Sequence, residues 1–382
     1  MAFSAVGPGG ASLPSGIIEV DPLMTKDPLR WVAQIKKAAG GALPRYLMLV
    51  GGPDIFPFAL DEVLSSDHLT GRLDVSSDPV GPISWVDCGT YARKVVDYET
   101  GKVVVSRRVV LFSPIIDGPT ETAHRGLIEP LRDALEVPRI WMARRFVPEV
   151  VPLLSENATT DRLSEELEER RPMLVVSATH GYERPYSRRM WGAFTDATCK
   201  RTNPRKTYFS ADGALARMAR EKPFGQGAVL LSFACFSAGV PEKGAYALFT
   251  SGTAQQFPEA PFVAPLPRVL LSYEHGPIAF IGHVDAATSQ SFMDGIVPQP
   301  GAFKDFLDWA LPGFGTLARA MQGFRERAWK TAVVLSDKLS SAAGAQTFVA
   351  QAVLNAFIRY HDARGYLLLG DPAIRMAAPA AE

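Results

Sequence analysis

Two residues of this chain pair a chemically able side chain with the setting that chemistry needs. His180 closes the run Met173-Leu-Val-Val-Ser-Ala-Thr-His180-Gly181, and Cys235 lies in Val229-Leu-Leu-Ser-Phe-Ala-Cys235-Phe-Ser-Ala-Gly239. A thiolate can attack a carbonyl carbon, an imidazole can manage the protons, and backbone N–H groups can hold the oxyanion that forms. Either residue alone reads more simply as structural, Cys235 as a small buried hydrophobe and His180 as a satisfied loop histidine. Two matching apolar runs that each end in one of them point instead to nucleophilic catalysis. In that reading the N–H groups of Cys235 and Gly181 form the oxyanion hole. Glycine suits position 181 because a side chain there would obstruct the substrate.

Continuous apolar runs of this length are expected as buried strands of a parallel sheet. Ligands in such sheets bind in the crevice at the carboxyl ends of the strands, so the two runs should be neighbours. Further strands are expected over 45–50, 71–75, 103–113, 139–142 and 277–284, with a closing segment over 366–372. Helices are expected over 27–39, 55–64, 91–98, 123–135, 159–170, 212–220, 265–274, 314–339 and 345–362, and a loop over 114–122. Asp27 followed by Pro28 marks the first helix start. The alternation implies an α/β fold, a three-layer αβα sandwich around a central, mostly parallel sheet. The expected division is a flexible N-terminus over 1–20, an N-terminal α/β subdomain over 21–150, a catalytic subdomain over 151–376 and a flexible tail over 377–382.

The chain has 382 residues, 47% apolar, with 40 Lys+Arg against 40 Asp+Glu. Zero net charge speaks against a nucleic-acid partner, because there is no basic surplus to neutralise phosphates. Three cysteines do not build a disulfide framework, and the start lacks a basic region followed by a long apolar core. No apolar run approaches membrane-spanning length. A cytoplasmic protein without a membrane partner is expected. Cys88 and Cys199 read as ordinary thiols, and the charge run 165–170 as a solvated helix face. His275, His283 and His361 lack metal-ligand spacing, so no metal or cofactor is expected. Gly51-Gly52-Pro53-Asp54 lacks the Gly-x-x-x-x-Gly-Lys pattern of a phosphate loop.

Ser-Ala-Thr-His180-Gly181 and Ser-Phe-Ala-Cys235-Phe-Ser-Ala-Gly239 resemble the His-Gly and Ala-Cys motifs of caspase-like (clan CD) cysteine peptidases. Their separation is close to the roughly 50 residues of caspases. The resemblance is strongest to the gingipain family and the bacterial CHAT-domain proteases. It extends to Gly71-Arg72-Leu73, Lys94, Tyr98-Glu99, Trp191-Gly192 and Leu369-Gly370-Asp371-Pro372, and spans about residues 45 to 376.

The resemblance implies a cysteine endopeptidase with a His180/Cys235 dyad and a protein substrate. It also implies a regulated intracellular bacterial enzyme of stress or defence, restrained until a partner protein, a ligand or proteolysis activates it. In gingipains an acidic residue before the catalytic His helps bind a basic P1 side chain. Laid over this chain, that position falls on Glu121, with His124 three residues on; Asp117 is a near neighbour and Asp285 a second candidate. Glu121 has a plainer role as well, favouring a helix N-terminus. A basic P1 preference would permit self-cleavage at Lys200, Arg201, Arg205 or Lys206, between the two catalytic strands. Two other outcomes fit the same residues: a catalytically silent caspase-like scaffold that binds a partner protein, and an amidase using the same dyad.

Overall fold

The structure, a computed structural model, describes residues 27–136, 147–182, 187–199, 208–246, 257–342 and 349–376. The expected strand over 139–142, the expected self-cleavage residues Lys200, Arg201, Arg205 and Lys206, and the expected tails over 1–20 and 377–382 lie outside the described residues.

Eight strands form one sheet: β1 (Tyr46–Val50), β2 (Leu69–Leu73), β3 (Ser106–Ser113), β4 (Glu149–Leu154), β5 (Pro172–Ala178), β6 (Val229–Phe233), β7 (Ala279–His283) and β8 (Tyr366–Gly370). Their spatial order is β1-β2-β8-β7-β6-β5-β3-β4. The strands β7, β6, β5, β3 and β4 run parallel, and so do β1, β2 and β8. The two blocks meet antiparallel at β7 and β8. The sheet is thus mostly parallel, as expected. The boundary expected near residue 150 falls in β4, and strands from both sides of it pair: β3 lies between β4 and β5, and β2 pairs with β8.

Burial follows position in the sheet. Every residue of β2, β5, β6 and β7 is buried, and burial on both faces is why β5, β6 and β7 read as largely apolar runs. The edge strands β1 and β4 alternate or stay partly open. Pro152 in β4 has no N–H to give a ladder, a loss an edge strand tolerates.

The principal helices are α1 (Pro28–Ala38), α2 (Phe58–Ser65), α3 (Trp85–Glu99), α4 (Gly118–Ala123), α5 (Glu129–Glu136), α6 (Thr160–Glu165), α7 (Ala211–Met218), α8 (Pro265–Ser272), α9 (Gly301–Ala310), α10 (Leu317–Ala320), α11 (Gln322–Ala342) and α12 (Val349–Arg364). One group, α3, α7 and α8, packs together; another is built from α5, α9, α10 and α11. These layers enclose one large apolar core that runs through the central strands. Among the described residues no helix is long and apolar enough to cross a membrane.

The remaining residues of the sequence motifs serve this frame. Arg72 is fully buried in β2. It is ion-paired to Asp61 of α2 at 2.5 Å and donates to the carbonyls of Gly51 and Phe56 at 2.9 and 2.7 Å. Lys94 of α3 donates to the carbonyls of Leu271 and Tyr273, both at 2.8 Å. The Tyr91 hydroxyl donates to the Ile278 carbonyl and accepts from the Asp371 N–H, tying α3 to β7 and to the segment after β8.

Candidate active site

The parallel block places the ends of β3, β5, β6 and β7 side by side. Ala178 of β5 is in register with Phe233 of β6. His180 and Cys235 each stand two residues beyond that pair and so leave the sheet at the same level. Two buried contacts hold the level. Thr179 N–H donates to the Phe233 carbonyl at 3.0 Å, and the Ser177 hydroxyl donates to that of Ser232 at 3.0 Å.

Gly181 marks how closely the two turns approach. A Cβ added there would lie 1.8 Å from the Cys235 carbonyl oxygen and 2.8 Å from its nitrogen. Any larger residue would push the His180 and Cys235 turns apart.

Cys235 itself is half-buried, and its Sγ lies 3.5 Å from the Ala287 carbonyl in donor position. The following residue, Phe236, has φ of +56°, in the left-handed region that a side chain enters at a cost. Its N–H donates to the Asp285 carbonyl at 2.7 Å. Trp191 packs edge-on against the Phe236 ring at 4.7 Å, with Phe262 and Val240 in the same apolar group. Gly192 follows at φ +83°, where the backbone itself calls for glycine. The Trp-Gly pair therefore buttresses the cysteine turn from below.

The third contribution comes from β3. After Ser113 the chain turns and enters α4 at its N-cap, Asp117. One carboxylate oxygen of Asp117 accepts from the Thr120 N–H at 3.1 Å and from its hydroxyl at 3.0 Å, while the Thr120 hydroxyl oxygen accepts from the Asp117 N–H at 3.0 Å. This reciprocal capping box fixes the carboxylate. The other oxygen lies 2.8 Å from His180 Nε2. A carboxylate that accepts here places the proton on Nε2 and leaves Nδ1 as the acceptor of the ring. Burial pushes the Asp117 carboxyl up. The hydrogen bonds from His180 and Thr120 outweigh it and hold the group below the ordinary carboxylate range.

The three carboxylates put forward for a basic P1 side chain are all engaged. Asp117 holds His180. Glu121 is ion-paired to Arg125 one turn along at 2.7 Å. Asp285 is buried and accepts from the N–H groups of Ala245 and Ala286 at 2.6 and 2.7 Å. Sequence reasoning named no acid to orient His180. Asp117 before Gly118-Pro119 is a helix-start pattern of the kind used for Asp27-Pro28, which marks an N-cap but not a partner for His180. Among the described residues no group of three or more His, Cys, Asp or Glu side chains is arranged to hold a metal ion.

No family model matches the chain, and no curated protein matches it in sequence. The solved structures that match it include two with these figures. One is the Saccharomyces cerevisiae separase–securin complex, with TM-score 0.32 and 12% identity over 90% of this chain and 17% of that one. The other is gingipain R (RGPB), described as an Arg-specific cysteine proteinase, with TM-score 0.50 and 12% identity over 94% of this chain and 70% of that one. The layered α/β architecture, with its largely parallel eight-stranded sheet, is thus a caspase-like fold similar to that of gingipain R.

Proposed function

We propose that the chain is a cysteine endopeptidase in which Cys235 is the nucleophile, His180 the general base and acid, and Asp117 the carboxylate that orients His180. One observation carries the reading. Asp117, His180 and Cys235 follow three adjacent parallel strands, with Asp117 2.8 Å from the imidazole and Gly181 packed on the Cys235 backbone. The fold similarity to a cysteine proteinase supports it.

In this mechanism Asp117 fixes the tautomer, so Nδ1 takes the Cys235 proton and later returns one to the leaving amine. The thiolate attacks the scissile carbonyl and forms a thioester, which water then hydrolyses. The N–H groups of Gly181 and Cys235 receive the developing oxyanion.

A peptide-library cleavage profile of the full chain, beside Cys235→Ala, tests the proposal. Cleavage that vanishes in Cys235→Ala is the expected result. Cleavage at the parent rate by that variant would sink the assignment. The same profile reads the P1 preference, for which Glu121 and Asp285 are the candidate carboxylates now that Asp117 is assigned to His180. Mass spectrometry of the two proteins reads self-cleavage at Lys200, Arg201, Arg205 or Lys206, and activity with and without added cell extract reads the expected restraint.

A further inference from the structure

Behind the cysteine turn, two strained residues face each other. Phe236 at φ +56° and Asp285 at φ +88° are both non-glycine residues in left-handed backbone. The Phe236 N–H to Asp285 carbonyl hydrogen bond joins them. Such strain persists only where the surroundings over-determine it, and it gathers at functional sites. Beside them lies a fully buried histidine that the peptidase reading leaves unused.

His283 ends β7. Its Nδ1 lies 3.1 Å from the same Asp285 carbonyl, and its Nε2 lies 2.9 Å from the Asp362 carbonyl in α12. Both partners are carbonyl oxygens, which can only accept. The Asp362 carboxylate, fully buried, lies 4.0 Å from Nε2. That carboxylate accepts from the Thr288 N–H and hydroxyl at 2.6 and 3.0 Å and from the Ser291 hydroxyl at 2.5 Å. The ring and its acid thereby grip both ends of the segment from Asp285 to Ser291. Inside that segment is the Ala287 carbonyl that faces Cys235 Sγ. The His283 main chain joins in: its N–H donates to the Ser237 hydroxyl at 2.9 Å, and its carbonyl accepts from the Ala238 N–H at 3.0 Å.

We propose that His283, with Asp362 as its partner, is a positioning residue for the nucleophile, locking the Asp285 and Ala287 carbonyls that set the Cys235 turn and its thiol. The proposal rests on Cys235 being the nucleophile. It adds that the thiol's readiness depends on a buried imidazole that touches neither the sulfur nor the substrate.

The test is the rate of Cys235 alkylation by iodoacetamide in the full chain, followed on the peptide that carries Cys235. It needs no peptide substrate, so it stands apart from the success of the cleavage profile. In His283→Leu, with the parent's circular dichroism and melting midpoint, the rate should fall tenfold or more. His283→Gln keeps one donor and should recover part of the loss, a graded response that a merely space-filling role would not give. Asp362→Asn keeps shape and carbonyl but removes the charge, and should also slow alkylation. A folded His283→Leu or Asp362→Asn that alkylates at the parent rate overturns the proposal and leaves the dyad untouched. Should the variants fail to fold, hydrogen exchange of the parent decides. The Phe236 amide should exchange as slowly as the amides of β7, and exchange at the rate of an exposed loop overturns the lock.

Discussion

The proposed mechanism gives the hydrogen bond between Asp117 and His180 the role of setting the imidazole, and its removal gives a direct prediction. General acid–base assistance by a positioned side chain contributes about 10²–10⁴-fold. Asp117→Asn leaves the base in place but frees the tautomer it needs, so kcat should fall by about tenfold or more with KM little changed. An Asp117→Asn enzyme with the parent kcat would remove the carboxylate from the mechanism. The sign of the pH effect follows from the depressed carboxyl. An unfolded aspartate titrates near about 3.9, and in the folded chain Asp117 titrates lower. Its stabilising contribution is therefore present above that range and lost only as pH falls through the lower folded value. At this scale His180, Gly181 and Cys235 were legible because each stands where an apolar run stops. The partnership of Asp117 with His180 was not, because 63 residues separate them and only the pairing of β3 with β5 brings them together.

Among the elements, most strands and helices announced themselves through periodicity, and the exceptions have physical reasons. The helix start at Asp117 lies inside the expected loop over 114–122. A proline suggests a break, yet it is welcome in the first turn of a helix. The helix expected from residue 91 begins at Trp85, because the Ser84 hydroxyl caps it by accepting from the Asp87 N–H at 3.2 Å. β4 carries Pro152 and escaped notice. The charge run over 165–170, expected as a solvated face, is partly committed: Glu166 pairs with Arg108 of β3 at 3.0 Å and Glu168 with Arg217 of α7 at 3.3 Å. Between α2 and β2 the buried Arg72–Asp61 pair supports a sharper expectation. Removing one partner of such a pair strands the other and costs about 3–5 kcal/mol. Asp61→Ala should lower the urea midpoint accordingly. A loss under about 1 kcal/mol would mean that the Gly51 and Phe56 carbonyls suffice for Arg72. On α12, burial first and Arg364 second push His361 down to about 4. The unfolded chain takes up that proton near about 6.5, so stability should decline as pH falls from there towards 4. His361→Gln should flatten that part of the urea-midpoint profile, and an unchanged slope would assign the decline to other groups.

At the scale of the whole molecule, the candidate site is assembled from distant segments that interleave in one sheet. Asp117 follows β3, which reaches the site through its place between β4 and β5; Arg72, the ion-pair partner of Asp61, lies in β2, which pairs with β8 late in the chain. This arrangement makes a concrete forecast for the division expected near residue 150. A fragment over 151–376 would keep β5 to β8 but lose β3, the neighbour that covers one edge of β5. All seven residues of β5 are buried in the intact protein. Stripped of β3, the strand would present a long apolar edge with a row of open N–H and C=O groups, a template for aggregation. The fragment should therefore aggregate or stay molten when expressed alone. Joint expression with a fragment over 21–150 should restore a soluble complex whose Cys235 alkylates as in the intact chain. The intact chain should unfold in one transition, with circular dichroism and tryptophan fluorescence coincident, because neither half closes the sheet by itself. A 151–376 fragment that is soluble, with a cooperative transition of its own, would show instead that β5 can close its edge without β3 and that the later half is an autonomous catalytic unit.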